Sequence, residues 1–271
     1  MNIIDIGSNS VRLFDGKKKT VITTRLAENM QDGMLDKISM ARTVDAIRTL
    51  CEQADGKCYA FATEAVRKAT NKADFVSEVL ARTGITVDVL SGDEEAEISY
   101  MGATFGSDGS AAVIDLGGAS CEVIYGDGGI KYKKSFPFGC VTMTDKFGSD
   151  LNGITSFVSA TMDVPHYCAE RYIAVGGTVT ALAAMALGLK EYDPSKVDGY
   201  MLSCGKIEEL IERVLRGEGF PTLAPARRKT IIQGATAFNA VLGKLGCDCV
   251  TISEKDNLEG YMLKLGINDV Q

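Results

Sequence analysis

Two stretches of the chain put an acid, glycines and serines together at a turn between apolar runs: "IIDIGSNSVRL" (3–13) and "VIDLGGASCEV" (113–123). Such a turn presents backbone N–H groups and hydroxyls at its tip, and glycine lets the backbone come close, which suits phosphate oxygens. The leading carboxylate, Asp5 or Asp115, can hold a hydrated Mg²⁺ that bridges those oxygens. At an offset of 110 residues, Ile4, Asp5, Gly7, Ser10 and Gly16 meet Ile114, Asp115, Gly117, Ser120 and Gly126. One such turn fits a plain structural hairpin equally well. Two related by duplication point to a bound polyphosphate group.

Three further stretches could join this chemistry. "AVGGTVTALAAM" (174–185) ends a strand in a glycine pair and opens a helix, whose N-terminus could meet an anion; a close-packed turn explains it as well. "FATEAVRKATN" (61–71) places Arg67, able to fork onto a phosphate, just after a strand. "LSGDEEAEISY" (90–100) sets three acids at a helix start, where capping and the helix dipole account for them. A carboxylate that orients water is nonetheless what phosphoanhydride hydrolysis needs when histidine is absent. His166 is the chain's single histidine, which excludes a histidine triad.

The elements that must position these groups come twice. Strands at 2–6, 10–14 and 20–25 form a meander with an Asp15-Gly16 turn, followed by a helix at 40–53, a strand at 58–62, a helix at 72–82, a strand at 86–90 and a helix at 93–105. The second half restarts with strands at 112–115, 121–125 and 130–135. It continues with a strand at 172–175, helices at 178–187, 206–216 and 226–245, a strand at 250–253 and a helix at 257–264. "GSDGS" (106–110) reads as the linker, dividing the chain into lobes 1–110 and 111–271, with the last helix able to pack back on the first lobe. Two such α/β lobes place their ligand in the cleft between them.

The chain has 271 residues and a net charge of −7, which argues against a protein that coats a nucleic-acid polymer. No apolar run approaches the ~20 residues of a membrane span, and no signal peptide precedes the first strand, so a cytoplasmic location is expected. The eight cysteines are scattered without a C-x-x-C and read as reduced, mostly buried thiols. The short basic runs "KYKK" (131–134) and "RRK" (227–229) read as solvated surface or as guides for an anionic chain.

Together "DIGSNSVRL", "ATEAVRKATN", "SGDEEAEISYMGA", "VIDLGGASCEV", "FPFGCVTMTDKF", "AVGGTVTALAAM" and "VTISEKDNLEGYM" resemble the exopolyphosphatase / guanosine pentaphosphate phosphohydrolase (Ppx/GppA) family of the acetate kinase–sugar kinase–Hsp70–actin superfamily. The resemblance implies two duplicated ribonuclease H-like (actin-like) domains with an interdomain cleft. It implies that Glu95 positions and activates the attacking water. Asp5, Asp115 and Glu122 would lie at the divalent metal, Mg²⁺ or Mn²⁺, with K⁺ as a further ion. Ser8, Asn9 and Ser10 would line one phosphate cradle, Gly117, Gly118, Ala119 and Ser120 the other, and Arg67 would contact the phosphate chain. The implied activity is release of terminal phosphate from inorganic polyphosphate. Guanosine pentaphosphate hydrolysis is the alternative, and a small-metabolite kinase or a non-catalytic sensor are further readings. A homodimer is compatible with this.

The chain departs from the family's pattern in reading Gly-Gly-Ala-Ser at the second cradle, which requires a compatible φ at Ala119, and in carrying Lys229 and Gln233. Ending after two lobes, it lacks the helical domains of longer relatives, an expectation against processive digestion of long chains.

Overall fold

The segment 2–6, three isoleucines with Asn2 and Asp5, is buried at every position, as a strand with neighbours on both sides and both faces covered must be. The computed structural model describes residues 1–225 and 227–267. In chain order come β1 (Asn2–Ile6), β2 (Ser10–Phe14), β3 (Lys19–Thr23), α1 (Lys37–Gln53), β4 (Cys58–Ala62), α2 (Glu64–Lys68), α3 (Lys72–Thr83), β5 (Val87–Val89) and α4 (Gly92–Thr104). Then follow β6 (Ala111–Leu116), β7 (Cys121–Gly126), β8 (Ile130–Phe136), α5 (Cys140–Phe147), α6 (Leu151–Thr161), β9 (Arg171–Val175), α7 (Gly177–Ala186) and α8 (Pro194–Val197). The remainder is β10 (Met201–Ser203), α9 (Cys204–Leu215), α10 (Ile231–Leu245), β11 (Cys249–Ile252) and α11 (Asn257–Lys264).

The chain divides into two compact units, Met1–Gly102 with the segment from Asn257 onward, and Ala103–Asp256. The first unit's sheet runs β3-β2-β1-β4-β5, an antiparallel meander joined through β1 to two parallel strands. The second repeats this order as β8-β7-β6-β9-β11 and adds β10 antiparallel at the edge. The fold is therefore α/β, two duplicated ribonuclease H-like (actin-like) domains. Among the described residues no helix is long and apolar enough to cross a membrane.

Four helices, α2, α5, α6 and α8, and the short strand β10 lie outside the elements expected from the sequence. The 226–245 helix begins instead at Ile231, after a 3-10 turn at Arg227–Lys229; Ala226 lies outside the described residues. Packing explains α5 and α6, which bury Cys140, Met143, Ile154 and Val158 against the second unit's core despite many β-branched, Gly and Ser positions.

In the first unit, strand alternation sends Ile4 and Ile6 to a core with α1 and α3, and Ile3 to the opposite face. There Ile3, Phe14, Phe61, Leu90 and Ile98 pack with Leu258, Tyr261 and Met262 of α11. Burying each of those three α11 side chains stabilises by about 2 kcal/mol. Tyr261 lies 4.6 Å from the Phe61 ring and its hydroxyl donates to Asp88 at 3.2 Å. Burial first, then the Asp88 carboxylate, raises the phenol pKa. Lys19 pairs with Glu259 at 2.9 Å.

Helix α11 approaches α4 so closely that a Cβ at Gly260 would lie 1.7 Å from the Ile98 carbonyl oxygen. We therefore expect Gly260→Ala to lose about 3 kcal/mol in urea unfolding, the upper range for overpacking. Gly243, interior to α10, has nothing within 4 Å of such a Cβ. Gly243→Ala should accordingly gain about 0.5–1 kcal/mol. Equal midpoints for the two variants would refute the close-contact account.

Candidate active site

The two hairpin tips are built alike. In each, the glycine after the acid donates its N–H to the serine carbonyl three residues on, Gly7 to Ser10 and Gly117 to Ser120, both at 3.0 Å. The tip carbonyls are then taken from one side. Ser8 accepts from Ala27 at 2.9 Å, and Asn9 accepts from Thr24 and Arg25 at 3.0 and 2.8 Å. In the second unit, Gly117 accepts from Cys140 at 3.0 Å, while Gly118 accepts from Val141 and Thr142 at 2.8 and 3.2 Å. A planar trans peptide points its N–H opposite its C=O. Engaging the carbonyls of residues 8 and 118 therefore turns the N–H groups of Asn9 and Ala119 to the other side, as an anion cradle needs.

The second tip needs this support from the first turn of α5, which spends its own orphan N–H groups on it. A Cβ at Gly139 would lie 2.5 Å from the Gly118 carbonyl carbon and 2.7 Å from the Ala119 nitrogen, so the helix can come this close only with glycine there. Ala119 is not among the non-glycine residues with positive φ, which are Arg25, Asn29 and Asp32. It adopts ordinary backbone, and its side chain imposes no φ strain.

The leading acids have different partners. Asp5 faces Arg12 across β1 and β2, and Arg12 Nε donates to Asp5 Oδ2 at 2.8 Å. Asp115 faces Glu122 across β6 and β7, and Ser135 Oγ on β8 donates to Glu122 Oε1 at 2.6 Å. Asp5, Asp115 and Glu122 are all buried. Burial, and after it Glu122 and Asp115, pushes the neighbouring Cys121 thiol pKa well up.

The acids at the start of α4 divide by role. Glu94 caps the helix: its carboxylate accepts from the Ser91 N–H at 3.0 Å, and Ser91 Oγ accepts from the Glu94 N–H at 3.2 Å. Lys264 pairs with it at 3.0 Å. The Ser91 N–H, then Lys264 and the Ser91 hydroxyl lower its pKa to about 2. Glu95, the next residue, is buried and accepts from Arg67 Nη1 at 2.7 Å. Arg67 also donates to the Leu90 carbonyl at 2.8 Å and pairs with Glu64. Burial opposes the guanidinium's charge, but Glu95 and then Glu64 outweigh it and raise the Arg67 pKa. The structure thus brings Arg67 and Glu95 together. Glu64 and Arg12 are additions to the residues singled out above: Glu64 lies one helical turn before Arg67 in α2, and Arg12 follows from the register of β1 with β2.

The glycine pair after β9 is closely packed. Gly176 has φ +103°, and a Cβ there would lie 2.7 Å from the Leu116 carbonyl oxygen and 3.2 Å from Asp115 Oδ1. The Arg227 guanidinium lies against Gly177 at the start of α7. Of the basic runs, Lys134 donates to the Asp163 carbonyl at 3.3 Å and Arg228 to that of Leu223 at 3.2 Å. Gln233 has a structural task, donating to the Gly148 carbonyl at 2.7 Å after α5. The eight cysteines are all free thiols.

Among the described residues no group of three or more His, Cys, Asp or Glu side chains gathers to hold a metal ion by itself. Mg²⁺ binds through one or two carboxylates and completes its shell with water and phosphate oxygens. Two buried hard-oxygen donors in cross-strand register, one oriented by a serine, fit that demand.

The sequence model of the Ppx/GppA phosphatase family matches residues 5–266. The guanosine-5'-triphosphate,3'-diphosphate pyrophosphatase of Aeromonas hydrophila is 29% identical over 97% of this chain, which spans 58% of that relative's length. Exopolyphosphatase 2 of Mycobacterium tuberculosis is 28% identical, with 97% of each chain covered. The solved structure of the Aquifex aeolicus PPX-GPPA enzyme superposes with a TM-score of 0.79 at 27% identity, covering 97% of this chain and 98% of that one.

The capping role of Glu94 has a pH signature. Its folded pKa lies below the usual 4.5, so its contribution is present above about pH 4.5 and is lost as pH falls toward about 2. Its side chain is 44% exposed, so solvent screening keeps the effect small. Glu94→Gln keeps the capping acceptor but removes the charge that faces Lys264 and the helix N-terminus, and should cost about 0.5 kcal/mol at neutral pH. Its urea midpoint should also fall less steeply with acid than that of the wild type. Parallel acid limbs would exclude the pairing as the cause.

Proposed function

Because the chain belongs to the Ppx/GppA phosphatase family, we propose that it is a phosphohydrolase that releases terminal phosphate from inorganic polyphosphate, with Glu95 orienting the attacking water. The observation that carries the reading is the division of labour at α4, where Glu94 caps the helix and leaves its buried neighbour Glu95 to Arg67. Polyphosphate is the substrate class named in a relative that is 28% identical over 97% of this chain.

Arg67 holds Glu95 Oε2 and so fixes the plane of the carboxylate. A water hydrogen-bonded to that carboxylate attacks the terminal phosphorus in line and passes it a proton as the P–O bond forms. The bridging P–O bond breaks, giving orthophosphate and a chain one phosphate shorter. In the first unit the Asn9 N–H with the Ser8 and Ser10 hydroxyls, and in the second the Ala119 N–H with the Ser120 hydroxyl, would each offer donors to non-bridging phosphate oxygens. Asp115 and Glu122 would hold Mg²⁺ or Mn²⁺, which when bound offsets negative charge on the phosphates.

The test is phosphate release from long-chain polyphosphate with Mg²⁺ present, comparing wild type with Glu95→Gln. Loss of a hundredfold or more in kcat, about the scale of a removed general base, is expected, with the melting temperature little changed. Wild-type turnover in the variant would remove Glu95 from the chemistry. Release from guanosine pentaphosphate alone would move the substrate to the nucleotide.

A further inference from the structure

We propose that Arg42 of α1 is a positioning residue for the first hairpin tip, its guanidinium holding the stretch of chain that fixes the carbonyls of Ser8 and Asn9. This rests on the reading of that tip as a phosphate cradle and names what keeps it in shape.

The two tips have unlike backing. Behind Gly118 stands the first turn of α5, a regular helix. Behind Ser8 and Asn9 stands the connection from β3 to α1, whose Thr24 and Arg25 N–H groups donate to Asn9 and whose Ala27 N–H donates to Ser8. That connection is irregular. Among the described residues, all three non-glycine positions with positive φ lie in it: Arg25 at +50°, Asn29 at +59° and Asp32 at +51°. A left-handed residue that carries a Cβ persists only where its surroundings hold it. Arg25, the one nearest the tip, is also one of the donors. Leu26 anchors the stretch by full burial in the core, but apolar burial has no direction and does not set where the neighbouring peptides point.

Direction comes from Arg42. Its Nε donates to the Thr24 carbonyl at 2.5 Å and its Nη2 to the Arg25 carbonyl at 3.3 Å, so one planar fork grips two successive carbonyls. The Thr24 carbonyl and the Arg25 N–H belong to the same peptide. Holding the carbonyl on the α1 side therefore turns that N–H toward Asn9, which it meets at 2.8 Å. Nη2 also reaches Glu28 Oε2 and Ser39 Oγ, each at 3.2 Å. Ser39 is itself fixed at the start of α1, where its N–H donates to the Asp36 carboxylate at 2.9 Å. The clamp thus ties the strained stretch to the end of a helix. Lysine keeps the charge but cannot match two carbonyls with a rigid fork. The Arg42 side chain is 40% exposed, so its replacement removes the clamp without opening the core.

Amide hydrogen exchange followed by NMR tests the clamp without ligand or turnover. In Arg42→Ala and Arg42→Lys alike, the Thr24, Arg25 and Ala27 amides should exchange about tenfold faster, the scale of one hydrogen bond from a charged group. Val44 and Ile47, within α1, should keep their wild-type rates. Unchanged exchange at the three amides, wild-type rates in Arg42→Lys, or a uniform increase across the chain would overturn the proposal. Its bearing on the site is read from the Kd of tripolyphosphate, followed at the Asn9 amide resonance. That Kd should rise about tenfold in Arg42→Ala. An equal Kd, or no response of Asn9 in the wild type, would overturn the role. Phosphate release is measured separately. The expected exchange and Kd without release by the wild type would remove the phosphohydrolase and leave the role of Arg42 standing; release with exchange and Kd unchanged in Arg42→Ala would do the reverse.

Discussion

The rest of the site depends on a constraint of the peptide bond. Once the carbonyl of Ser8 is taken by Ala27, and that of Gly118 by the start of α5, planarity turns the following N–H groups to the opposite side. The cradles are thus held from behind, and whatever does the holding becomes part of the site. That is why "FPFGCV" belongs with the hairpin it supports: Gly139 permits contact with the peptides of residues 117–119, and the next three residues donate to the tip. If these tips take phosphate as proposed, donors fixed in this way need no reorganisation as charge develops, which is where preorganised donors are worth most.

Similar economy governs α4. Its first turn carries three acids, and a capping box consumes the second of them at the surface. The following residue then faces inward by the 100° step of the helix, and Arg67 meets it from the end of α2. Arg67 is itself placed by β4, whose all-apolar end Ala60–Phe61–Ala62 is buried in the first unit. The C-terminal helix secures the same region through Gly260 against Ile98 and Lys264 on Glu94. The "EKDNLEGYM" segment therefore contributes packing and one surface ion pair to the element that carries Glu95.

The hairpins, the paired meanders and most strands were legible in the sequence because turn chemistry and period-2 burial act locally. The Ser91–Glu94 capping box is equally local, but capping and the helix dipole account for all three acids alike, and the contacts with Ser91 and Arg67 are what separate Glu94 from Glu95. What escaped was set by tertiary contact. Helices α5 and α6 contain Val141, Thr142, Ile154, Thr155 and Val158 with Gly and Ser between them, so propensity argues against helix, and only burial of one face outweighs it. Helix α2 spans five residues, too few to show a period. Arg12 lay within a quoted motif, yet its meaning depends on register: only the antiparallel pairing sets it opposite Asp5 rather than one residue away on the other face.

Buried ion pairs add little net stability, since desolvation cancels much of their attraction. Asp5–Arg12 and Glu95–Arg67 are therefore better understood as devices that hold a carboxylate in one orientation. Within the first unit this leaves two acids fixed, each by a guanidinium whose geometry matches a carboxylate oxygen. The second unit keeps the duplicated frame but sets acid against acid, Asp115 facing Glu122. Duplication alone would have produced two equal sites. A change of sign at one cross-strand position makes the two hairpins different in kind, an acid facing a guanidinium in one and an acid facing an acid in the other.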